Sequence, residues 1–585
     1  MKTFRIAINM AGAISAGAYT AGVLDFLTEA LDAWYTAKLD NESVPKHNVS
    51  IDVISGASAG GMCAAITAIL LQDEFDHISD TLQTNTSNRF YESWVNIIDI
   101  RELLKTEDLM NPSPVVSLLD STIIDTIADY ALVRGKPLLV PRAYVSPDLT
   151  LFLSLTNLRG VVYSLNGVAP GSVEETTLFY GDRVRFQTVR DDSKMPLADA
   201  AYRIDLSTLN GDWTVLRDAA KATGAFPLFL APRMLSRRQS DYTPPLWESR
   251  ASAAKDEPPP VSPSFPLNLP DPFVTLNVDG GVTNNNPFNY SHDYLASLDP
   301  PAPDKQLETD PCRADRAVLS IAPFPTTESY PVNYDTLANS SVFRVLPRLF
   351  SALVSQSRFF GESLSHLMRG TTFSHFVIAP SDDELVQQLK KISRMDNATP
   401  EALQCAVLGA FGGFFERGFR AHDYALGRRN CQKFLVDHFI LPSDNVIMKE
   451  ALASLTAEDR ERIVSEFRRN APKNPDGKQP ACPAISDTTK TVWLPIIPLC
   501  TPELREPIAP IARFQMKDAD LDHVVGLIAK RFQVVVSVMV NSIRHWALHL
   551  FLRPGPWFIA HLGRGLLKEA LIKQLGDSYR ASSIQ

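Results

Sequence analysis

Three short segments carry side chains whose types and spacing could do chemistry. Gly56-Ala57-Ser58-Ala59-Gly60 is a GxSxG pentapeptide: an apolar β-branched run, Val49 to Ile54, leads into it, and a helical pattern, Met62 to Leu71, leads out. A serine on so tight a strand-to-helix turn projects its Oγ outward, with the next amide and the helix N-terminus facing the same point, which suits Ser58 to nucleophilic attack. Gly12-Ala13-Ile14-Ser15-Ala16-Gly17 is a small-residue loop between a first strand, Phe4 to Ile8, and a first helix. The backbone amides of Gly12, Ala13 and Ile14, with that of Ala59, could stabilise an oxyanion. Asp279-Gly280-Gly281 ends a third apolar run, Val274 to Val278, and is followed by Asn284-Asn285-Asn286-Pro287. A carboxylate at a strand's C-terminal end can reach a nucleophile on a parallel neighbour, because sites in open α/β sheets lie beyond those ends. Taken singly, each segment also reads as ordinary structure: a small-residue helix start, a tight βα turn, an Asp-Gly turn. In combination they supply a nucleophile, a base and an anion-binding loop, the parts needed for acyl transfer.

Positioning these parts requires an α/β framework. Short apolar strands alternate with helical patterns through the first third of the chain. Leu149 to Leu155 reads as a buried strand, Leu216 to Ala225 as a helix and Ala317 to Ile321 as a strand, the signature of a mostly parallel sheet covered by helices. Asn9 interrupts the N-terminal apolar stretch, and Val23, Leu24, Leu27, Leu31 and Trp34 recur at helical spacing, so strand, loop and helix are expected in place of a secretory signal. The best transmembrane candidate, Phe532 to Ile543, is 12 residues long, against the ~18 to 20 a span needs. A cytoplasmic or peripheral membrane location is the expectation.

Composition narrows the class. With 585 residues, 45% hydrophobic and 21% charged, the chain is globular and long enough for more than one core. A net charge of -9 without a Lys/Arg-rich run points away from nucleic acid. Six scattered cysteines lack CxxC spacing, so neither a zinc site nor a disulfide framework is expected, and no metal or other cofactor. Of the 42 prolines, 15 fall in the 80 residues from Pro232 to Pro311. Because proline lacks a donor and fixes φ, the stretch about 232–272 reads as an irregular insertion, either a linker or a lid beside the site. From Val345 the pattern becomes helical, through Ser351 to Met368, Leu403 to Phe415, Gln432 to Phe439, Lys449 to Arg469 and His523 to Leu552. A domain of residues 1–330 followed by a mainly helical region, 331–585, is expected. Near the C-terminus, the apolar residues Val534 to Phe551 and the amphipathic stretch Trp557 to Leu575 read as a packed helix or as an interfacial contact with lipid.

The three segments, in this order, resemble the patatin-like phospholipase family. The resemblance is carried by GAYTAGVL (Gly17 to Leu24), GASAGG around Ser58, ATGAFPLFLAP (Ala222 to Pro232) and DGG followed by NNP, and covers about residues 1–325. It implies a three-layer α/β/α domain with a mostly parallel sheet, plus a mainly α-helical C-terminal region. It also implies hydrolysis of phospholipid or another acyl lipid by a Ser/Asp dyad: Ser58 as nucleophile, Asp279 as proton acceptor, and Gly56, Gly60, Gly280 and Gly281 as motif glycines. The loop departs from the family pattern, with Ala16 where a basic residue is usual and Ala13 and Ile14 where glycines are common; Ile14 would resist a positive φ. Arg420 to Phe434 is similar to a segment of larger bacterial members and reads as a buried charged helix. Two alternatives stand beside the dyad. One is a triad using His292, His375 or His422; the other is a silent patatin-like module that binds lipid or a partner. Oligomeric state is not encoded in these motifs.

Overall fold

The computed structural model describes residues 2–40, 43–79, 84–110, 114–133, 140–165, 175–189, 201–206, 211–243, 269–298, 308–325, 373–382, 402–472, 491–541 and 567–576, with a few further positions. Nine strands make one sheet: β1 (Thr3–Met10), β2 (Asn48–Gly56), β3 (Val145–Leu165), β4 (Glu175–Val189), β5 (Ala201–Asp205), β6 (Arg233–Arg237), β7 (Phe273–Asp279), β8 (Arg316–Ile321) and β9 (His375–Ile378). The longer helices are α1 (Gly17–Asp40), α2 (Ala59–Leu70), α3 (Thr122–Leu132), α4 (Trp213–Thr223), α5 (Phe288–Ser297), α6 (Arg417–Asp437), α7 (Ala457–Phe467) and α8 (Asp518–Asn541). The main strand order is β5-β4-β3-β2-β1-β8-β9, with β7 pairing β3 and β6 pairing β7. Pairs β1–β2, β1–β8, β2–β3, β4–β5 and β8–β9 are parallel, whereas β3–β4, β3–β7 and β6–β7 are antiparallel. The sheet is therefore mixed and mostly parallel, flanked by helices, in agreement with the expected α/β class.

The central strands are mostly apolar because both faces are covered. Ile6, Ile8, Ile51, Ile54, Leu151 and Leu319 enter the large core under α1 and α2. Ala7, Val53, Phe152 and Val318 point the other way, against Phe288 and Leu295 of α5. This period-two alternation puts β1 in the middle of the molecule, so the apolar N-terminal stretch is strand and helix as expected.

The sheet and core continue beyond residue 330. β9 lies parallel to β8, and α6 lies against α1. The two helices meet backbone to backbone: a Cβ on Gly22 would fall 1.9 Å from the Tyr424 carbonyl oxygen, and one on Gly427 would fall 2.2 Å from that of Tyr19. Fully buried Asp25 on α1 accepts from Arg428 of α6, His77 and Asn88. Burial alone would raise its pKa, but the Arg428 charge and the His77 hydrogen bond outweigh burial and hold it below the usual carboxylate value.

Some C-terminal expectations need correction. Leu403 to Phe415 is not one helix: Leu408, Gly409 and Ala410 take φ of 59°, 63° and 73°, and only Gly412–Phe415 is helical. Lys449 to Arg469 is two helices, Val446–Ala453 and α7, the second started by Thr456, whose side chain accepts the Asp459 amide at 3.1 Å. The helix expected from His523 begins at Asp518. By length and composition α8 is long and apolar enough to cross a membrane. Its buried Arg531 donates to the Leu118 carbonyl at 2.9 Å and pairs with Asp108, tying α8 to residues 105–118. Nearly all of Ser351 to Met368, residues 244–262 of the proline-rich stretch, and residues 557–564 of the stretch Trp557 to Leu575 lie outside the described residues.

Candidate active site

Ser58 caps the N-terminus of α2 with φ 54° and ψ −132°, a conformation that L side chains adopt only when surroundings impose it. Two constraints do so here. The Ser58 amide donates to Thr223 Oγ1 at 3.0 Å, and that hydroxyl donates to the Ser154 carbonyl of β3 at 2.7 Å. The turn is also crowded from behind: a Cβ on Gly60 would lie 2.4 Å from the Met10 carbonyl, and one on Gly56 would lie 2.4 Å from that of Gly60. Only hydrogen at both positions lets the α2 N-terminus close onto β1.

Asp279 reaches Ser58 by a route other than the expected one. β7 is antiparallel to β3, so Asp279 is not on a parallel neighbour of β2. Gly56 pairs with Leu153 and Asp279 with Leu155, while β4 occupies the opposite edge of β3. β2 and β7 therefore meet head to head along one edge of a single long strand, bringing their C-terminal residues together. Ser58 Oγ donates to Asp279 Oδ2 at 2.5 Å, and the Gly281 amide donates to Oδ1 at 2.6 Å. Main-chain bonds from Asp279 to Ala225 (2.9 Å) and from Gly280 to Thr223 (3.1 Å) fix the carboxylate's backbone. Asp279 is 2% exposed, and burial pushes its pKa up to about 7, with the bonds from Ser58 and Gly281 pulling the other way. A carboxylate so placed can take a proton near neutral pH.

The Gly12–Ala16 loop lies beside the serine. The Gly12 amide is engaged, donating to the Asn285 carbonyl at 3.0 Å, whereas no acceptor for the Ala13, Ile14 or Ala59 amides is seen among the described residues. Ile14 does adopt a positive φ, 49°, despite its branched side chain. Ile14, Ser58, Ala59 and Asp279 line one apolar cavity, whose walls include Met62, Phe226, Leu230 and Phe411. The arrangement puts a hydroxyl, a buried base and unengaged amides at the mouth of a hydrocarbon-compatible pocket.

None of the three candidate histidines lines this cavity. His292 stacks on Phe288, His375 contacts Ser320 Oγ at 3.0 Å, and His422 contacts Asp423 at 2.8 Å. The Arg420 to Phe434 segment is buried helix: Arg420 is 1% exposed and donates to the Gly413, Phe414 and Val95 carbonyls.

Several residues that support the site were not singled out from sequence. Thr223 is one. Another group is a polar net under the strand ends: Asn9 donates to Asn286 at 2.5 Å and to Ser320 at 3.2 Å, and Ser55 donates to Asn9 at 3.0 Å. This net anchors the NNP segment that presents the Asn285 carbonyl to Gly12. The run of three asparagines was the available signal, since buried amides require partners.

The family model for Patatin-like phospholipase matches residues 9–291, which include Ser58, Asp279 and the loop between β1 and α1. The uncharacterized protein y4iI of Sinorhizobium fredii (strain NBRC 101917 / NGR234) is 32% identical over 581 residues, covering 92% of this chain and 76% of that one. The crystal structure of VipD from Legionella pneumophila aligns with 99% of this chain and 88% of its own at 11% identity and a TM-score of 0.22, a likeness too loose to bear on the site. By its matched stretch and its relative, this chain belongs to the patatin-like phospholipase family of lipid acyl hydrolases.

Proposed function

We propose that this protein hydrolyses carboxylic ester bonds of membrane lipids, as a phospholipase A or lysophospholipase, through a Ser58/Asp279 dyad. Asp279 takes the proton from Ser58 Oγ as the oxygen attacks the ester carbonyl, forming a tetrahedral intermediate. The Ala13, Ile14 and Ala59 amides receive the oxyanion. Gly12 is left out of that set because its amide holds Asn285. The proton passes to the leaving alcohol, and the acyl group remains on Ser58. Water, deprotonated by Asp279, then attacks the acyl group, and Asp279 returns the proton to Ser58 Oγ as the Oγ–acyl bond breaks and the fatty acid leaves.

The observation that supports this reading is the 2.5 Å bond from Ser58 Oγ to a buried carboxylate whose pKa is raised to about 7, in a cavity walled by apolar side chains. A carboxylate at its ordinary value would be a poor base for a serine hydroxyl; burial closes much of that gap. The apolar walls suit an acyl chain, and because membrane lipids reside in a bilayer surface, the proposal includes peripheral membrane contact.

The test is a mixed lipid panel incubated with wild type and with Ser58→Ala, followed by mass spectrometry of released fatty acids and lysolipids. Release by wild type alone supports the reading. No release by wild type, together with no labelling of Ser58 by a fluorophosphonate, favours the silent-module alternative. Loss of turnover in His292→Ala, His375→Ala or His422→Ala would instead favour a triad.

A further inference from the structure

We propose that the segment from Leu403 to Phe415, which lies outside the stretch matched by the family model, positions the oxyanion loop, and that Ser15 is the positioning residue joining the two. The inference rests on the reading that the Ala13 and Ile14 amides receive the oxyanion.

Ser15 is fully buried and gripped from one side only. Its Oγ donates to the Ala410 carbonyl at 2.5 Å, its amide donates to the same oxygen at 3.2 Å, and its Oγ accepts the Gly413 amide at 3.1 Å. These bonds fix both the main chain and the side chain of the residue directly after Ile14. Ile14 sits at φ 49°, a region a branched side chain leaves unless something holds it there. These bonds hold the peptide between Ile14 and Ser15, and with the Ile14 backbone kept at φ 49° the preceding peptide, which carries the Ile14 amide, is constrained in turn.

The clamp is itself imposed by α6. Asp423 accepts the Gln404 and Cys405 amides, each at 2.8 Å, and Arg420 donates to the Gly413 carbonyl at 2.6 Å. One turn of α6 thus holds both ends of the segment. Between them, Leu408, Gly409 and Ala410 all take left-handed backbone, which turns the Ala410 carbonyl toward Ser15. Two of these are not glycine, and such conformations persist only where surroundings over-determine them. The same segment brings Phe411 and Phe414 to the cavity that holds Ser58, so it contributes to the site on two counts. The Arg420 to Phe434 motif thereby acquires a role, since it carries the groups that shape the clamp.

The experiment uses the full chain and steady-state hydrolysis of p-nitrophenyl butyrate. Ser15→Ala should lower kcat by ~10²-fold, the scale of a misplaced transition-state contact. KM should stay within twofold and the pH midpoint of kcat/KM should match wild type, while the melting temperature should fall because the buried Gly413 amide loses its acceptor. Gly413→Ala attacks the clamp from the other side, because its methyl would lie 2.6 Å from Ser15 Oγ, and should reproduce the kcat loss. An active wild type with a fully active Ser15→Ala overturns the inference, as does a loss confined to KM or one accompanied by a shifted pH midpoint. An inactive wild type overturns the hydrolase reading and this inference with it, so the two failures are distinguishable.

Discussion

The main-chain N–H of Ser58 donates to Thr223 Oγ1 at 3.0 Å, linking the residue with the unusual backbone to a hydroxyl that is itself held by β3. Thr223→Val removes the acceptor while keeping the shape, leaving a buried amide unpaired. The expected cost is about 1–3 kcal/mol in urea denaturation, with a fall in kcat, and Thr223→Ser should recover most of both.

Backbone strain at Ser58 predicts an inversion of the usual ranking of small residues. Alanine normally stabilises a chain relative to glycine, but at φ 54° and ψ −132° glycine is the better fit. Ser58→Gly should therefore melt above Ser58→Ala, by the equivalent of about 1 kcal/mol, with both variants inactive. Differential scanning calorimetry of the pair decides it.

Asp279 sets the pH behaviour. Acting as base it must be ionised, so kcat/KM should rise with pH to a plateau with a midpoint near 7. Asp279→Asn should lower kcat by ~10²–10⁴-fold. Because the folded pKa lies above the ordinary 3.8, its contribution to stability is fully present below about pH 4 and lost as pH rises through 7. Asparagine has no charge to desolvate, so Asp279→Asn should gain on wild type in melting temperature from pH 4 to pH 8. A melting temperature of Asp279→Asn that falls relative to wild type as pH rises would contradict this account.

Phe411 packs against Phe229 and Phe226 with ring centroids 4.9 and 5.8 Å apart, and Phe411 and Phe226 line the cavity. Phe411→Ala should shift kcat/KM toward longer or branched acyl groups by about tenfold relative to butyrate. Competing p-nitrophenyl esters of graded chain length measure the shift directly.

Arg428→Ala would leave Asp25 ionised and fully buried without its principal partner. A loss of about 3–5 kcal/mol in chemical denaturation is expected. Since Asp25 and Arg428 line α1 and α6 and not the cavity, kcat of the folded fraction should change little.

Local signals made the candidate reactive groups legible. The passage from a period-two apolar run through GxSxG to a helical period lies within some twenty residues, and Asp279 follows an equally plain strand. The partners that give those groups their geometry lie far away in sequence. Ser58 meets Thr223 at a separation of 165 residues and Ser15 meets Ala410 at 395. No local pattern encodes such pairings. The reading of 403–415 as a helix failed for a related reason: its apolar spacing matches a helix, but Phe411 and Phe414 are apolar because they face the cavity. The antiparallel pairing of β7 was missed because strand direction is set by the connection through β6, itself a short strand with Met234 exposed.

The contact between α1 and α6 also orders events during synthesis. α1 is complete near residue 40, while the helix that covers it ends at Asp437. At about 5–20 residues per second the ribosome needs roughly 20–80 s to bridge that interval. Throughout it an apolar helix, already next to the nucleophile turn, lacks its cover, a window in which chaperones or neighbouring nascent chains compete for that face. Under the proposed mechanism a half-made chain that carries Ser58 and Asp279 would still lack the clamp on Ser15, so hydrolysis would await the synthesis of the segment that holds that loop.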